Sequence, residues 1–345
     1  MLNKSNQLLE EFSLRIRNFS LSPLWERTNR LAPGTNCIPF AWRFSEMLPL
    51  LLTASEVIEK KRADRRVLVM ENPSLRGSSY ISSSLFAGLQ IIMPGEIAPS
   101  HRHSPNALRF LMKGKGAYTS ISGEKIEMNP GDFIVTKNWD WHDHGNEGDE
   151  PVIWMDGLDT PLTSIFGSHF RENYSEDIFP LNNNVSNNES KFGLNLLPID
   201  VPNKTVTNDD SLLIYSYVNA KKALLNIFKT QINSHDPVFG FKLKYSNPIN
   251  GLSPFKTMSV FIQLLPPKFI GKNYRSTENI VLNIADGECI VHTEEENFYL
   301  KKYDIMVIPS WTTFSFSSQS ESVIFSFSDK TAQESLGFWR EEYLN

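Results

Sequence analysis

Apolar positions along the chain follow two rhythms. Between residues 80 and 170 they gather in short runs such as AGLQIIM, ALRFLM and FIVT, broken by Gly114, Gly116, Gly123 and the Pro130-Gly131-Asp132 turn. Short runs with glycine and proline punctuation are the pattern of a small antiparallel barrel. Residues 256–330 alternate in the same way and predict a second barrel. Elsewhere the period is helical. Leu8, Leu9, Phe12 and Ile16 line one face of a helix over residues 5–19, and Leu224, Leu225 and Phe228 one over residues 219–230. Thr331 followed by Glu334 has the spacing of a capping box and predicts a closing helix over residues 331–345.

The resulting division has five parts. Residues 1–79 form a helical segment that packs on a barrel through Leu48, Leu51, Leu52, Val57 and Ile58, with Trp25 and Trp42 in the core. Residues 80–170 are the first barrel, residues 171–255 a linker carrying one helix, residues 256–330 the second barrel, and residues 331–345 the end. Residues 171–210 read as irregular, and the polar run LNNNVSNNESK within them as a mobile loop. Arg65 and Arg66 precede VLVM; in a strand one of them faces inward.

The two barrels repeat one another. At an offset of 172 residues Asp132 falls on Asp304, Val135 on Val307 and Trp139 on Trp311; one residue more puts Gln90 on Gln263 and Gly114 on Gly287. At 172 the histidines of the first barrel have no counterpart. His101 meets Asn273, His103 meets Arg275, His142 meets Phe314 and His144 meets Phe316. The second barrel is then structural, or contributes to a subunit interface.

Those histidines are the candidate chemistry. In a strand, residues i and i+2 share a face, so His101 and His103 can converge on one point, as can His142 and His144. Two such pairs in one barrel make a divalent metal site, one per chain. No cysteine lies nearby, and imidazole ligation alone leaves zinc, iron, copper, nickel or manganese open. Spacing alone does not choose between His142 and His144 as a third ligand.

Composition narrows the remaining choices. A net charge of −5 offers no basic surface for nucleic acid. Cys37 and Cys289 are too few for a disulfide framework, so a reducing cytoplasm is expected. Glu10 and Glu11 interrupt the first apolar run, which argues against a secretory signal, and no run is long enough to span a membrane.

The motifs PGE-x-x-x-x-HRHS-x-x-ALRF, GDF-x-x-T and WHDHGN-x-x-x-x-P-x-IW-x-DGLD resemble the gentisate 1,2-dioxygenase family, bicupins whose relatives act on salicylate and 1-hydroxy-2-naphthoate. The likeness extends from SPLWER to LGFWREE and is weakest over residues 171–210. It implies an all-β dominated bicupin, two antiparallel jelly-roll barrels with flanking helices. It also implies ferrous iron on His101, His103 and His142, with His144 beside them, and pocket positions at Arg109, Arg65, Gln90 and Asp156. The implied reaction opens the ring of gentisate between the carboxyl-bearing and the adjacent hydroxyl-bearing carbon, with dioxygen, to give maleylpyruvate. The implied assembly is a homotetramer. Lys137, where the family usually has proline, and Phe86, where relatives often carry another large residue, bear on substrate preference.

The chemistry of each residue type fits. Arginine gives a carboxylate paired, charge-assisted bonds, which suits Arg109 and Arg65. His144 can hydrogen-bond the substrate or accept its proton. Asp156 can orient His144. Gln90 can reach a ligand or dioxygen, although its repeat-mate Gln263 points to a partly structural role. The competing readings are a non-redox zinc or manganese cupin, either an isomerase or a ligand-binding module, and a structural paralogue with an unused pocket.

Overall fold

The computed structural model describes residues 2–26, 31–59, 65–182, 212–230 and 235–344. Residues Met1–Gly34 are a unit of their own, with a helix at Leu2–Asn18 and one 3-10 turn at Leu24–Glu26. Trp25 in this unit is 72% exposed, its ring stacked on Phe12, so its expected core role is not met. Trp42 does pack against the core.

From Thr35 onward four antiparallel sheets form two stacked barrels. The front barrel's inner sheet runs β2 (Arg66–Val69), β3 (Phe86–Ile92), β10 (Val152–Leu158), β5 (Ala107–Lys113), β8 (Phe133–Thr136) and β12 (Ile214–Tyr215) in spatial order. Its outer sheet runs β11 (Arg171–Asn173), β4 (Ile97–His103), β9 (His142–Asn146), β6 (Ala117–Ile121) and β7 (Glu124–Glu127). In the back barrel the inner sheet runs β13 (Phe241–Lys244), β14 (Ser259–Leu265), β22 (Ser322–Ser328), β17 (Ile280–Asp286), β20 (Ile305–Ile308) and β1 (Phe40–Trp42). The outer one runs β19 (Asn297–Lys301), β18 (Glu288–Thr293), β21 (Phe314–Ser318), β16 (Tyr274–Ser276) and β23 (Glu341–Tyr343), with β15 (Phe269–Ile270) also on β21.

Strands also arise outside the two barrel stretches, and of these the reading of residues 65–70 expects only β2, at the VLVM run. β1 and β2 come from residues 1–79, β11, β12 and β13 from residues 171–255, and β23 from residues 331–345. All six are only two to four residues long and lie at sheet edges. So short a segment shows no readable alternation; the backbone groups of the neighbouring strand fix it, not its own pattern. The expected closing helix is a short one, Lys330–Leu336, stopped by Gly337 at φ 74°. Its capping box does not form: Asp329 is the N-cap, and the Thr331 hydroxyl bonds Ser259 instead. The asparagine-rich run lies mostly in 183–211, outside the described residues.

Both faces of the central inner strands are buried, which is why β5 and β10 read as nearly unbroken apolar runs. One face belongs to the interface between barrels. Leu108, Phe110, Ile153 and Met155 meet Val260, Ile262, Val323, Phe325 and Phe327 there in a single core, and Phe110 stacks on Phe325 with centroids 4.1 Å apart. The other face turns into the front barrel and carries Arg109, Leu111, Trp154 and Asp156. The i, i+2 parity of each strand thus separates packing residues from site residues.

Gly157 belongs to the packing set. A Cβ there would lie 2.5 Å from Cζ of Phe327. Gly157→Ala is expected to lower stability by about 1–3 kcal/mol, the usual cost of overpacking a filled core. A denaturation midpoint equal to wild type would show that the interface yields freely.

Two clasps lock the barrels. Asp159 accepts from the backbone and side-chain N–H of Asn106 at 2.8 and 2.9 Å, and from the Thr257 hydroxyl of the back half. Asp329 accepts from the same groups of Asn279 at 2.9 and 3.0 Å, and from the Ser84 hydroxyl of the front half. The repeat is thus exchanged: each half lends a hydroxyl to the other.

Strand register corrects one part of the repeat. His101 pairs with His142, and Tyr274 pairs with Phe314. The Trp139 N–H donates to the His103 carbonyl and the Trp311 N–H to that of Ser276; both tryptophans have positive φ, 69° and 65°. The counterparts of His101 and His103 are therefore Tyr274 and Ser276, one residue beyond Asn273 and Arg275. The offset of 173 that matches Gln90 and Gly114 therefore governs His101 and His103 between them, and it falls to 172 only by Asp132. The conclusion that the ligands are lost in the back barrel is unchanged.

Candidate metal centre

β4 delivers His101 and His103 to the barrel interior and turns Arg102 outward; β9 delivers His142 and His144 and turns Asp143 outward. The His101–His142 rung sets those rings side by side, with centroids 4.2 Å apart; His103–His142 is 4.8 Å and His101–His103 5.6 Å. The ligand-capable atoms of His101, His103 and His142 all lie within 4.8 Å of one another, and all three residues are buried. His144 is not part of this cluster.

Hydrogen bonding fixes which nitrogen of each ring is available. Nδ1 of His101 lies 2.9 Å from the Pro99 carbonyl, that of His103 2.7 Å from Pro105 and that of His142 2.8 Å from Asp140. A carbonyl can only accept, so each Nδ1 carries the proton and each Nε2 keeps its lone pair. Nε2 of His101 and of His142 is buried without a protein partner. Burial holds the rings neutral: it depresses His103 to about 3 and His101 further, with the Arg65 charge the next cause at His101, and it holds His142 well below its ordinary value. Three neutral imidazoles with converging lone pairs, two of them otherwise unsatisfied, fit a divalent cation.

The opposite wall comes from the inner sheet. Arg109 is buried at the centre of β5, where its Nη1 donates to Oγ1 of Thr136 at 2.6 Å. Its Nε lies 3.3 Å from Oδ1 of Asp156, the residue directly opposite on β10; the contact is an ion pair without hydrogen-bond alignment. Asp156 also accepts from Nε1 of Trp154 at 3.1 Å. Burial raises the Asp156 carboxyl, and Arg109 and then Arg65 pull it back down.

The structure thereby revises one expectation. Asp156 orients Arg109 and is held by Trp154; it does not bond His144. The reason is topological, since Asp156 and Arg109 share a rung of the inner sheet while His144 lies on the outer sheet. The His144 ring packs against that of Trp154, centroids 5.6 Å apart, and both its nitrogens are buried without a protein partner. Burial, then the Arg109 charge, holds it neutral.

Of the two adjacent arginines, Arg66 is committed elsewhere. It grips both carboxylate oxygens of Glu96 at 2.7 and 2.8 Å and the Ile58 carbonyl. The charge of Arg65 acts on His101, His103, His144 and Asp156, so Arg65 is the one that faces the site. Gln90 is buried on β3 opposite Trp154, its Oε1 without a partner. Phe86 and Lys137 stand at the ends of β3 and β8. Sequence reasoning gave Thr136 and Trp154 no site role, although both stand in the quoted motifs GDF-x-x-T and IW-x-DGLD. The i+2 parity of Trp154 and Asp156 was a usable signal; the partner of Thr136 lies 27 residues away and no local pattern names it.

Two stacked antiparallel barrels, with a three-histidine cluster in the front barrel, define a bicupin with a single candidate metal centre among the described residues. Residues 88–158 match the family described as Cupin domain. The chain is 42% identical to gentisate 1,2 dioxygenase 1 of Aquipseudomonas alcaligenes, over 96% of this chain and 95% of that protein. It is 31% identical to a 1-hydroxy-2-naphthoate 1,2-dioxygenase of Nocardioides sp. (strain KP7), over 97% and 87%. The crystal structure of salicylate 1,2-dioxygenase from Pseudoaminobacter salicylatoxidans with gentisate superposes with a TM-score of 0.89 at 29% identity, covering 97% of this chain and 93% of that one. The chain belongs to the gentisate 1,2-dioxygenase family and is a ring-cleaving dioxygenase.

Proposed function

We propose that the protein cleaves the ring of gentisate between the carboxyl-bearing and the adjacent hydroxyl-bearing carbon, using ferrous iron and dioxygen, and releases maleylpyruvate. The observation that carries this reading is the cluster of His101, His103 and His142 facing the buried Arg109–Asp156 pair across one barrel. The identity to gentisate dioxygenases over nearly the whole chain supports it.

Iron on these three imidazoles would supply a centre that holds ring and dioxygen side by side and lets electrons pass between them. The chain's own residues do the rest. The pinned Nδ1–H groups keep the three rings aimed at one point. Arg109, anchored by Thr136 and Asp156, presents a fixed positive charge to an acid lying against the triad. His144, neutral and buried, can accept a phenolic proton from the ring. Gln90, with a free carbonyl oxygen, can accept a hydrogen bond from a ring hydroxyl. The apolar wall of Ile92, Leu111 and Trp154 excludes water from the ring face.

The reading is tested on purified protein loaded with ferrous iron. Gentisate is expected to drive oxygen uptake and growth of the absorbance of a ring-opened keto acid, in equal molar amounts. Uptake with salicylate or 1-hydroxy-2-naphthoate but not gentisate would move the substrate within the class. Uptake with none of the three, from protein carrying the metal, would overturn the reading. We also propose a cytoplasmic homotetramer. The two buried free cysteines fit a reducing compartment, and light scattering reads the assembly.

A further inference from the structure

β11 is an edge strand that nothing in its own sequence announces. It lies on β4 in the register Arg171↔His103, Glu172↔Arg102 and Asn173↔His101. Paired residues of an antiparallel ladder project to the same face. Glu172 and Arg102 take the outer face, where Arg102 Nε donates to Glu172 at 2.7 Å and the guanidinium lies 4.6 Å above Trp141. Arg171 therefore takes the face of His103. It is exposed, so it stands at the rim of the barrel, and its charge reaches both His101 and His103.

The back barrel supplies an internal control. β23 lies on β16 in the matching register, Glu342↔Arg275 and Glu341↔Ser276. The outer clasp is kept: Arg275 Nε donates to Glu342 at 2.8 Å, with its guanidinium 4.9 Å above Trp311. The rim residue is not kept. Where the front barrel has Arg171 beside a histidine, the back barrel has Glu341 beside a serine, with its carboxylate bonded to Tyr274. The packing device is common to both halves, and the positive rim charge accompanies the imidazole cluster alone.

We propose that Arg171 is a recognition residue for the substrate carboxylate at the mouth of the front barrel, selecting anionic aromatic acids and drawing them in toward the triad. This rests on the ring-cleavage reading above. The charges of Arg65, Arg109 and Arg171 surround one cluster of neutral rings. Arg109 is fully buried and Arg171 is exposed, so an incoming anion meets Arg171 before Arg109.

The test uses the iron-loaded protein and its Arg171→Gln and Arg171→Glu variants. Gentisate binding is measured by anaerobic calorimetry, and kcat and KM are measured at low and high salt. The expected result is a rise in Kd and KM of about tenfold for Arg171→Gln and more for Arg171→Glu. Iron content should be unchanged and kcat within twofold. The fall of kcat/KM with salt should be shallower than in wild type, because a screened attraction has been removed. Arg171→Lys should restore most of the binding. Unchanged Kd, KM and salt dependence in both variants, or a loss confined to kcat, would overturn the proposal. Wild type that binds gentisate through Arg171 but takes up no oxygen sinks the ring-cleavage reading and leaves the recognition role. Wild type that binds no aromatic acid overturns both.

Discussion

His142→Ala is expected to strip the protein of its metal and to lower oxygen uptake with gentisate by about a thousandfold or more. The ring sits between the other two, 4.2 Å from His101 and 4.8 Å from His103, so its loss leaves only two donors 5.6 Å apart. Removing a partner that merely orients a ligand costs roughly ten- to a hundredfold in affinity or activity; removing the ligand itself should exceed that. His144→Ala is the necessary contrast. It should keep the metal, since His144 stands outside the cluster, and lose rate through the proton it no longer accepts. Elemental analysis of both variants, with circular dichroism to confirm folding, decides the matter. Full metal in His142→Ala together with none in His144→Ala would exchange the two roles.

Asp156→Ala is expected to have the largest effect on stability, a loss of about 3–5 kcal/mol. Arg109 is buried, and its charge is opposed at 3.3 Å by Asp156. Deleting the carboxylate leaves that charge in the barrel with a hydroxyl as its remaining anchor, and leaves the Trp154 N–H without its acceptor. Because the freed guanidinium can swing, kcat/KM for gentisate should fall more than stability alone explains. Asp156→Asn keeps an acceptor for Trp154 and should recover part of the stability but little of the turnover. Chemical denaturation and oxygen uptake on both variants give the two readings. An Asp156→Ala protein as stable as wild type would mean that Arg109 is neutralised some other way.

Neither variant could have been ranked from the sequence alone, and the reason lies in where the partners stand. Arg109 and Asp156 are 47 positions apart in the chain, yet they face one another across a single rung. Sequence reading offered His144 as a partner for Asp156, because carboxylates often orient histidines, but both His144 nitrogens stand without a protein partner and Asp156 faces Arg109. It was uncertain between Arg65 and Arg66 because parity offers no preference between neighbours; the Glu96 carboxylate claims Arg66 and so decides it. It passed over Arg171 altogether, since a three-residue edge strand in a polar stretch has no period to detect.

What the sequence determined by itself was everything written in local periodicity. The two barrels, the i, i+2 parity that puts His101 with His103 and His142 with His144 on single faces, and the loss of imidazoles in the second half were all legible before any coordinate. Tertiary structure decided which of four histidines form the cluster, which nitrogen each presents, what holds Arg109, and which short segments complete the sheets. The division follows from the range of the forces involved. Side-chain parity is a property of a single strand, whereas hydrogen-bond partners and ion pairs are set by register between strands distant in the chain, and no local pattern records that register.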